Sequence, residues 1–341
     1  SYSVTGVQTC ALPISFMGKS NQQLSQNFNL FIANGPRTIF WTLIFMLITA
    51  FIVMSGITKG IEKYSKIMMP ALFIIILILD IKALTLEGSS KGLEFLLYPD
   101  FSKITAAVVV DALGQAFFSL SLGMGVLITY GSYIGKKDNL GSTALSVSLT
   151  DTLVALLAGT MIFPVTFAFG IQANAGPGLA FISLPAIFQQ MAGGQVFAFL
   201  FFVLLAIAAL TSTISLLEVV VAYFVEELKM TRKKATLIAV ASMSLLGILS
   251  SLSFGPLKEI TLFGKSIFDL LEFTSSNLLL PIGGLFIVLF VGWFFSVKEL
   301  QLELSNNGSL KARFFPIFLF IVKFIAPLAI ILVFLNGLGL F

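Results

Sequence analysis

Eight apolar stretches, each long enough to cross a bilayer and separated by short polar loops, leave this chain few folds to choose from. They run roughly over residues 38–57, 67–86, 104–135, 141–170, 195–225, 235–254, 266–295 and 314–337. A hydrocarbon core needs about 20 apolar residues of helix to span it. Lipid offers no hydrogen bonds, so each run has to satisfy its own backbone, and for runs of this length that means α-helix. The expected fold class is an all-α integral membrane protein of about eight transmembrane helices. Composition agrees, with 57% hydrophobic and 11% charged residues, against roughly 25% charged in soluble domains.

The same composition excludes common catalytic devices. The chain has no His and a single Cys, Cys10, so imidazole general bases, Cys/His zinc centres and disulfide frameworks have no residues to build them. The net charge of +4 predicts no nucleic-acid partner, because the cations lie in loops where membrane orientation accounts for them. Lys59, Lys63, Lys66, Lys136, Lys137, Lys229, Arg232, Lys233, Lys234, Lys298, Lys311 and Arg313 fall in alternate loops, twelve on one side. Lys19, Arg37, Lys91, Lys103, Lys258 and Lys265 fall on the other. The positive-inside rule then makes the first set cytoplasmic and puts both ends of the chain, and the uncharged 171–194 loop, outside.

The third run differs from the rest. Its centre, Gln115–Gly125, carries Ser119, Ser121, Gly123 and Gly125. Two readings stand at this point. Ser and Gly serve close helix contacts in a continuous span, or they mark an interruption, which lipid tolerates only where the freed backbone meets protein, water or a ligand. Gly123-Met124-Gly125 is not a nucleotide loop, since no strand precedes it and the third glycine of that fingerprint is lacking.

The organisation read from the sequence is residues 1–14 as a foreign stretch, 15–37 as an extracellular segment and 38–337 as one transmembrane domain. Val4–Ile14 resembles the in-frame translation of a sequencing-library adaptor. With an outside start and no signal peptide, the chain reads as a fragment that has lost an odd number of upstream spans.

Several motifs in order carry a resemblance: Gly60-Ile-Glu-Lys with Met69-Pro70, Gly114-Gln-Ala-Phe-Phe-Ser-Leu-Ser-Leu-Gly, Ile128-Thr-Tyr-Gly-Ser-Tyr, Asp151-Thr-Leu-Val-Ala-Leu-Leu-Ala-Gly, Leu184-Pro-Ala-Ile-Phe and Leu210-Thr-Ser-Thr-Ile. Together, over about residues 16–341, the chain resembles the neurotransmitter:sodium symporter family. The resemblance implies a partial inverted-repeat (5+5) transporter fold, with the spans here matching the family's fourth to eleventh and the first three absent. It also implies a sodium-coupled symporter of an amino acid or related small zwitterion, in the plasma membrane, working by alternating access. The alternatives are a fragment that transports nothing and a proton-coupled amino-acid permease.

The resemblance implies roles residue by residue. The family's sixth-span break falls on Ser119–Gly123, with Phe118 over the substrate, Ser121 in backbone contact with it and Met124 as a pocket wall. Ser119 stands where a Thr usually ligates the first sodium, and Asp151 falls within about a residue of an Asn ligand of the same ion. The alternative for Asp151 is a structural pairing. Ala208, Thr211 and Ser212 share one helical face and match the ligands of the second sodium, with Ser212 and Leu216 also facing substrate. The alternative is that these hydroxyls bond the preceding turn. Asp269 matches the extracellular gate acid, whose Arg partner lies on the first span. No cofactor is expected beyond sodium as coupling ion. Chloride is not expected to be required, because Ala155 replaces a chloride-binding Ser and Asp151 supplies a fixed charge. For Asp111, Glu218, Glu272 and Lys323 the expectation is snorkelling or structural pairing.

Overall fold

The computed structural model describes Gly18 and residues 20–135, 138–170, 178–309 and 314–340. The 1–14 stretch with Cys10, and also Phe16, Lys19, Lys136, Lys137, residues 171–177, Lys311 and Arg313, lie outside the described residues.

In chain order the helices are α1 (Asn21–Ala33), α2 (Gly35–Met54), α3 (Lys63–Leu84), α4 (Ser89–Leu97), α5 (Ala106–Ser119), α6 (Val126–Gly131), α7 (Leu140–Ala168), α8 (Leu184–Phe188), α9 (Gly194–Glu226), α10 (Arg232–Leu252), α11 (Ile267–Phe273), α12 (Leu280–Leu289), α13 (Val297–Leu304), α14 (Phe315–Phe320) and α15 (Ala326–Gly337). A two-residue hairpin, β1 (Thr261–Leu262) and β2 (Lys265–Ser266), precedes α11. Among the described residues, seven continuous helical stretches are long and apolar enough to cross a membrane: 35–54, 57–84, 140–168, 194–226, 232–252, 267–294 and 315–337. Six fall within about three residues of an expected span at both ends, and the 57–84 stretch begins ten residues ahead of the expected 67–86 because the helix runs on through the basic 59–66 segment. The remaining expected span, 104–135, is interrupted between α5 and α6.

Several spans widen locally to i→i+5 bonding, and proline explains three of these places. Leu179–Ser183, Thr274–Leu279 and Ile321–Ile325 are π-turns, and Pro185, Pro281 and Pro327 each stand two residues beyond one. Proline has no N–H and its ring crowds the carbonyl four residues back. An extra residue in the turn relieves that crowding.

The helices group into two compact units, one formed by the chain through Tyr98 with Ala155–Leu270, the other by Pro99–Val154 with Leu271–Phe341. In the first unit α2 packs on α9 and α10, and α3 on α9. Its core joins Ile76, Leu79, Met161, Ile187, Phe201 and Phe202. Here α1 forms inside the segment expected as an extracellular stretch. Ser20 caps it, accepting from the Gln23 N–H at 3.3 Å while the Gln23 side chain accepts from the Ser20 N–H at 2.9 Å. Phe28 of α1 stacks on Phe181, which stacks on Phe202, at 5.5 and 6.2 Å between ring centres. The second unit has a smaller core around Phe117, Leu280 and Ile330.

Two acids are buried in the first unit, with opposite surroundings. Glu218 on α9 has no exposed side-chain surface and pairs with Arg232 at the start of α10. Arg232 meets the carboxylate through Nη1, at 3.1 Å, and Nη2, and its Nε donates to the Val53 carbonyl at 2.8 Å. One guanidinium thus ties the ends of α2, α9 and α10 together, the structural pairing expected for Glu218. Asp80 on α3 is 5% exposed, and neither carboxylate oxygen has a hydrogen-bond partner among the described residues. An unsatisfied buried polar group costs about 1–3 kcal/mol. Asp80→Leu is therefore expected to raise the thermal unfolding midpoint of the purified protein by the equivalent of about 1–3 kcal/mol. A lowered midpoint would show that the carboxylate is satisfied in the folded protein.

Candidate functional site

The break in the third apolar run is built by backbone geometry that its residue types permit. α5 ends at Ser119, the chain is non-helical over Leu120–Gly125, and α6 resumes at Val126. Ser121, Gly123 and Gly125 take φ of +54°, +81° and +77°. These are left-handed values that suit glycine and are uncommon for a serine, and such outliers cluster at functional sites. Gly123 is required twice over, because a Cβ there would run into the Leu280 carbonyl and stand 2.9 Å from the Gly284 nitrogen. Of the two readings of Ser119–Gly125, the interrupted one is the structure.

Interruption frees acceptors. Leu120 N–H bonds the Ala116 carbonyl, Ser121 N–H that of Phe118, and Leu122 N–H that of Phe117, at 3.0–3.1 Å. Among the described residues no donor bonds the carbonyls of Ser119 or Leu120. Beside them the Ser119 hydroxyl donates to both carboxylate oxygens of Asp151 on α7, at 2.7 and 2.8 Å. Two residues 32 apart in sequence, both expected at the first sodium, are thus in contact at the break. Hydroxyl and carboxylate are hard oxygen donors, the class that suits a hard cation, and the carboxylate brings the negative charge.

The other expected residues of this unit surround the break. Phe118 is half exposed and lines a cavity of about 190 Å³ with Asp111, Ser276, Asn277 and Asn336. Asp111 accepts from the Asn336 amide at 2.8 Å, the structural pairing expected of it. Ser121 borders a larger, apolar cavity of about 320 Å³, together with Gly123, Gly125 and residues of α12 and α15. Met124 packs toward Phe117, Leu280 and Ile330.

The remaining candidates belong to the first unit. Ala208, Thr211, Ser212 and Leu216 follow one face of α9. The Thr211 hydroxyl donates to the Ala208 carbonyl at 2.8 Å, so two of the three expected ligand oxygens already touch. This is also the bond to the preceding turn that the residues alone allowed; a hydroxyl that donates its proton backwards keeps lone pairs for a cation. Leu216, one turn beyond Ser212, is 43% exposed. Asp269 sits in the first turn of α11, where its carboxylate accepts from the Ser266 hydroxyl at 2.6 Å and its N–H donates back at 3.1 Å. That is helix capping in this structure. Asp80, buried on α3, is a charged residue inside an expected span to which the sequence assigns no role.

Comparison with known proteins adds to this geometry. A profile described as the Sodium:neurotransmitter symporter family matches residues 5–340. An uncharacterized sodium-dependent transporter of Bacillus subtilis, YhdH, is 42% identical over 326 residues, covering 96% of this chain and 72% of that protein. The sodium-dependent nutrient amino acid transporter 1 of Drosophila yakuba is 28% identical over 312 residues, 85% of this chain and 46% of that protein. Among solved structures, a crystal structure of MhsT in complex with L-phenylalanine superposes with a TM-score of 0.85 at 41% identity, covering 98% of this chain and 76% of that one.

Proposed function

The chain belongs to the sodium:neurotransmitter symporter family, a family of membrane transporters and not of enzymes, and from that premise we propose that it couples entry of an amino acid with an apolar side chain to the sodium gradient. The observation that carries the reading is the contact of Ser119 with Asp151 at an interrupted span. It gathers hard oxygens and one negative charge beside backbone carbonyls that a continuous helix would have consumed. Sodium bound there is cargo and coupling ion. The Ala208 carbonyl with the Thr211 and Ser212 hydroxyls supplies a second set of oxygens. A zwitterionic substrate suits a broken helix, whose ends expose amide and carbonyl dipoles of opposite sign. Phe118 and Met124 offer apolar surface for its side chain, and the L-phenylalanine complex of MhsT supports an apolar preference. By the positive-inside rule the basic segments 59–66, 229–234 and 298–313 belong on the cytoplasmic side of a cell whose plasma membrane the protein spans.

Sodium dependence tests the second set of oxygens. Thr211→Val or Ser212→Ala removes one hydroxyl while keeping most of the packing volume. At roughly 1.5 kcal/mol per lost ligand, the sodium concentration for half-maximal uptake is expected to rise about tenfold in each variant. An unchanged sodium dependence in both would withdraw these residues from the sodium site.

A further inference from the structure

Lys323 is a cation inside a membrane span that no described carboxylate neutralises. It stands eight residues into the 315–337 stretch, about 12 Å along the helix from Phe315 at 1.5 Å per residue. None of the ion pairs among the described residues includes it. Its ammonium lies over the Trp293 ring, 5.5 Å from the centre.

The surroundings hold that side chain in place. Pro327 deprives the Lys323 carbonyl of its ordinary donor four residues on, and the Trp293 indole N–H donates to that carbonyl at 3.3 Å. Gly292 permits the approach, since a Cβ there would lie 3.3 Å from Lys323 Cγ and 3.4 Å from the Val322 carbonyl. Trp293 meets Phe324 edge-on at 5.7 Å, and Phe324 meets Phe320 at 5.5 Å. Trp293, Phe294, Phe320 and Phe324 are all more than half exposed. The result is an ammonium over Trp293, rimmed by exposed aromatic side chains on one face of the second unit.

We infer that this face binds one anionic phospholipid, with its phosphate on Lys323 and its acyl chains along Phe294, Phe320 and Phe324. Charge selects the occupant. An ammonium within a span is costly unless it is paired or reaches the headgroup layer, and helical side chains lean toward the helix N-terminus. Lys323 therefore leans toward the side of the 298–313 loop, which carries Lys298, Lys311 and Arg313 and belongs by charge to the cytoplasmic leaflet, where anionic lipid attracts basic residues. Trp293 and the phenylalanines supply the amphipathic and apolar contacts of a lipid at that level.

The test counts lipids that stay bound. The protein is equilibrated with equal dioleoyl-phosphatidylglycerol and dioleoyl-phosphatidylcholine and released into detergent, and retained lipid is counted by native mass spectrometry. Wild type is expected to retain one phosphatidylglycerol in preference to phosphatidylcholine. Lys323→Gln is expected to lower that fraction about fivefold, Lys323→Arg to keep it, and Lys298→Gln, on the exposed helix α13, to leave it unchanged. Lys323→Arg keeps the proposal testable if the Gln variant does not fold, because loss of the preference in a folded Arg variant would contradict binding by charge. Equal retention of the two lipids by wild type, or loss in Lys298→Gln as large as in Lys323→Gln, would overturn the proposal.

Discussion

Asp151→Asn is expected to raise the sodium concentration for half-maximal uptake about a hundredfold or more, or to make uptake respond to chloride, whereas wild-type uptake is expected to persist when chloride is replaced by gluconate. The argument is one of charge. On the proposed function, two sodium ions and a zwitterion would carry excess positive charge into a low-dielectric site, and a carboxylate or a bound anion would have to offset it. One charge at about 4 Å contributes roughly 4 kcal/mol at an effective dielectric constant near 20, and 2.7 kcal/mol already corresponds to about a hundredfold. Asp151 is where that charge meets a second expected ligand, through bonds of 2.7 and 2.8 Å from Ser119. The Asn variant keeps the shape and removes the charge. Wild-type uptake that stops on chloride withdrawal would show that Asp151 does not serve as the counter-charge.

The largest expected loss of stability lies away from the break. Arg232→Ala strands the carboxylate of Glu218, whose side chain is fully buried, and also removes the donor to Val53. Breaking a buried pair by deleting one partner costs about 3–5 kcal/mol, most of it the penalty for the charge left behind. Replacing Glu218 and Arg232 together by Leu and Met removes both charges and is expected to recover most of that loss. Thermal unfolding of the Arg232→Ala variant and the double variant in one detergent measures it. A double variant as unstable as the Arg232→Ala protein would mean that the pair contributes through geometry and not through charge compensation.

The parts of the fold that are legible in the sequence are those that solvent decides. Hydrocarbon demands long apolar runs, so all eight spans could be placed from hydropathy, and the serines and glycines of 119–125 set one of them apart while leaving a close-contact span and an interruption both open; the structure uses the glycines for φ values near +80°. The segments that escaped are those that tertiary packing decides. Helix α1 and the 179–188 stretch are short, and each is held by a neighbour, as in the Phe28–Phe181–Phe202 stack. Asp80 escaped for the same reason, since its burial comes from packing across helices and leaves no trace in local composition. At the candidate site, the common face of Ala208, Thr211 and Ser212 follows from helical periodicity. The meeting of Ser119 and Asp151 does not, because residues 32 apart on separate helices share no period. Only the resemblance to a known family pointed to that pair. Periodicity also could not decide what Thr211 bonds; the structure gives it the Ala208 carbonyl.

Uptake of radiolabelled L-phenylalanine into proteoliposomes containing the purified protein tests sodium coupling most directly. With sodium outside and potassium inside, label is expected to accumulate above its external concentration, and to fall to the level of protein-free vesicles when external sodium is replaced by potassium or choline. Accumulation that continues without sodium and follows an inward proton gradient instead would contradict the account.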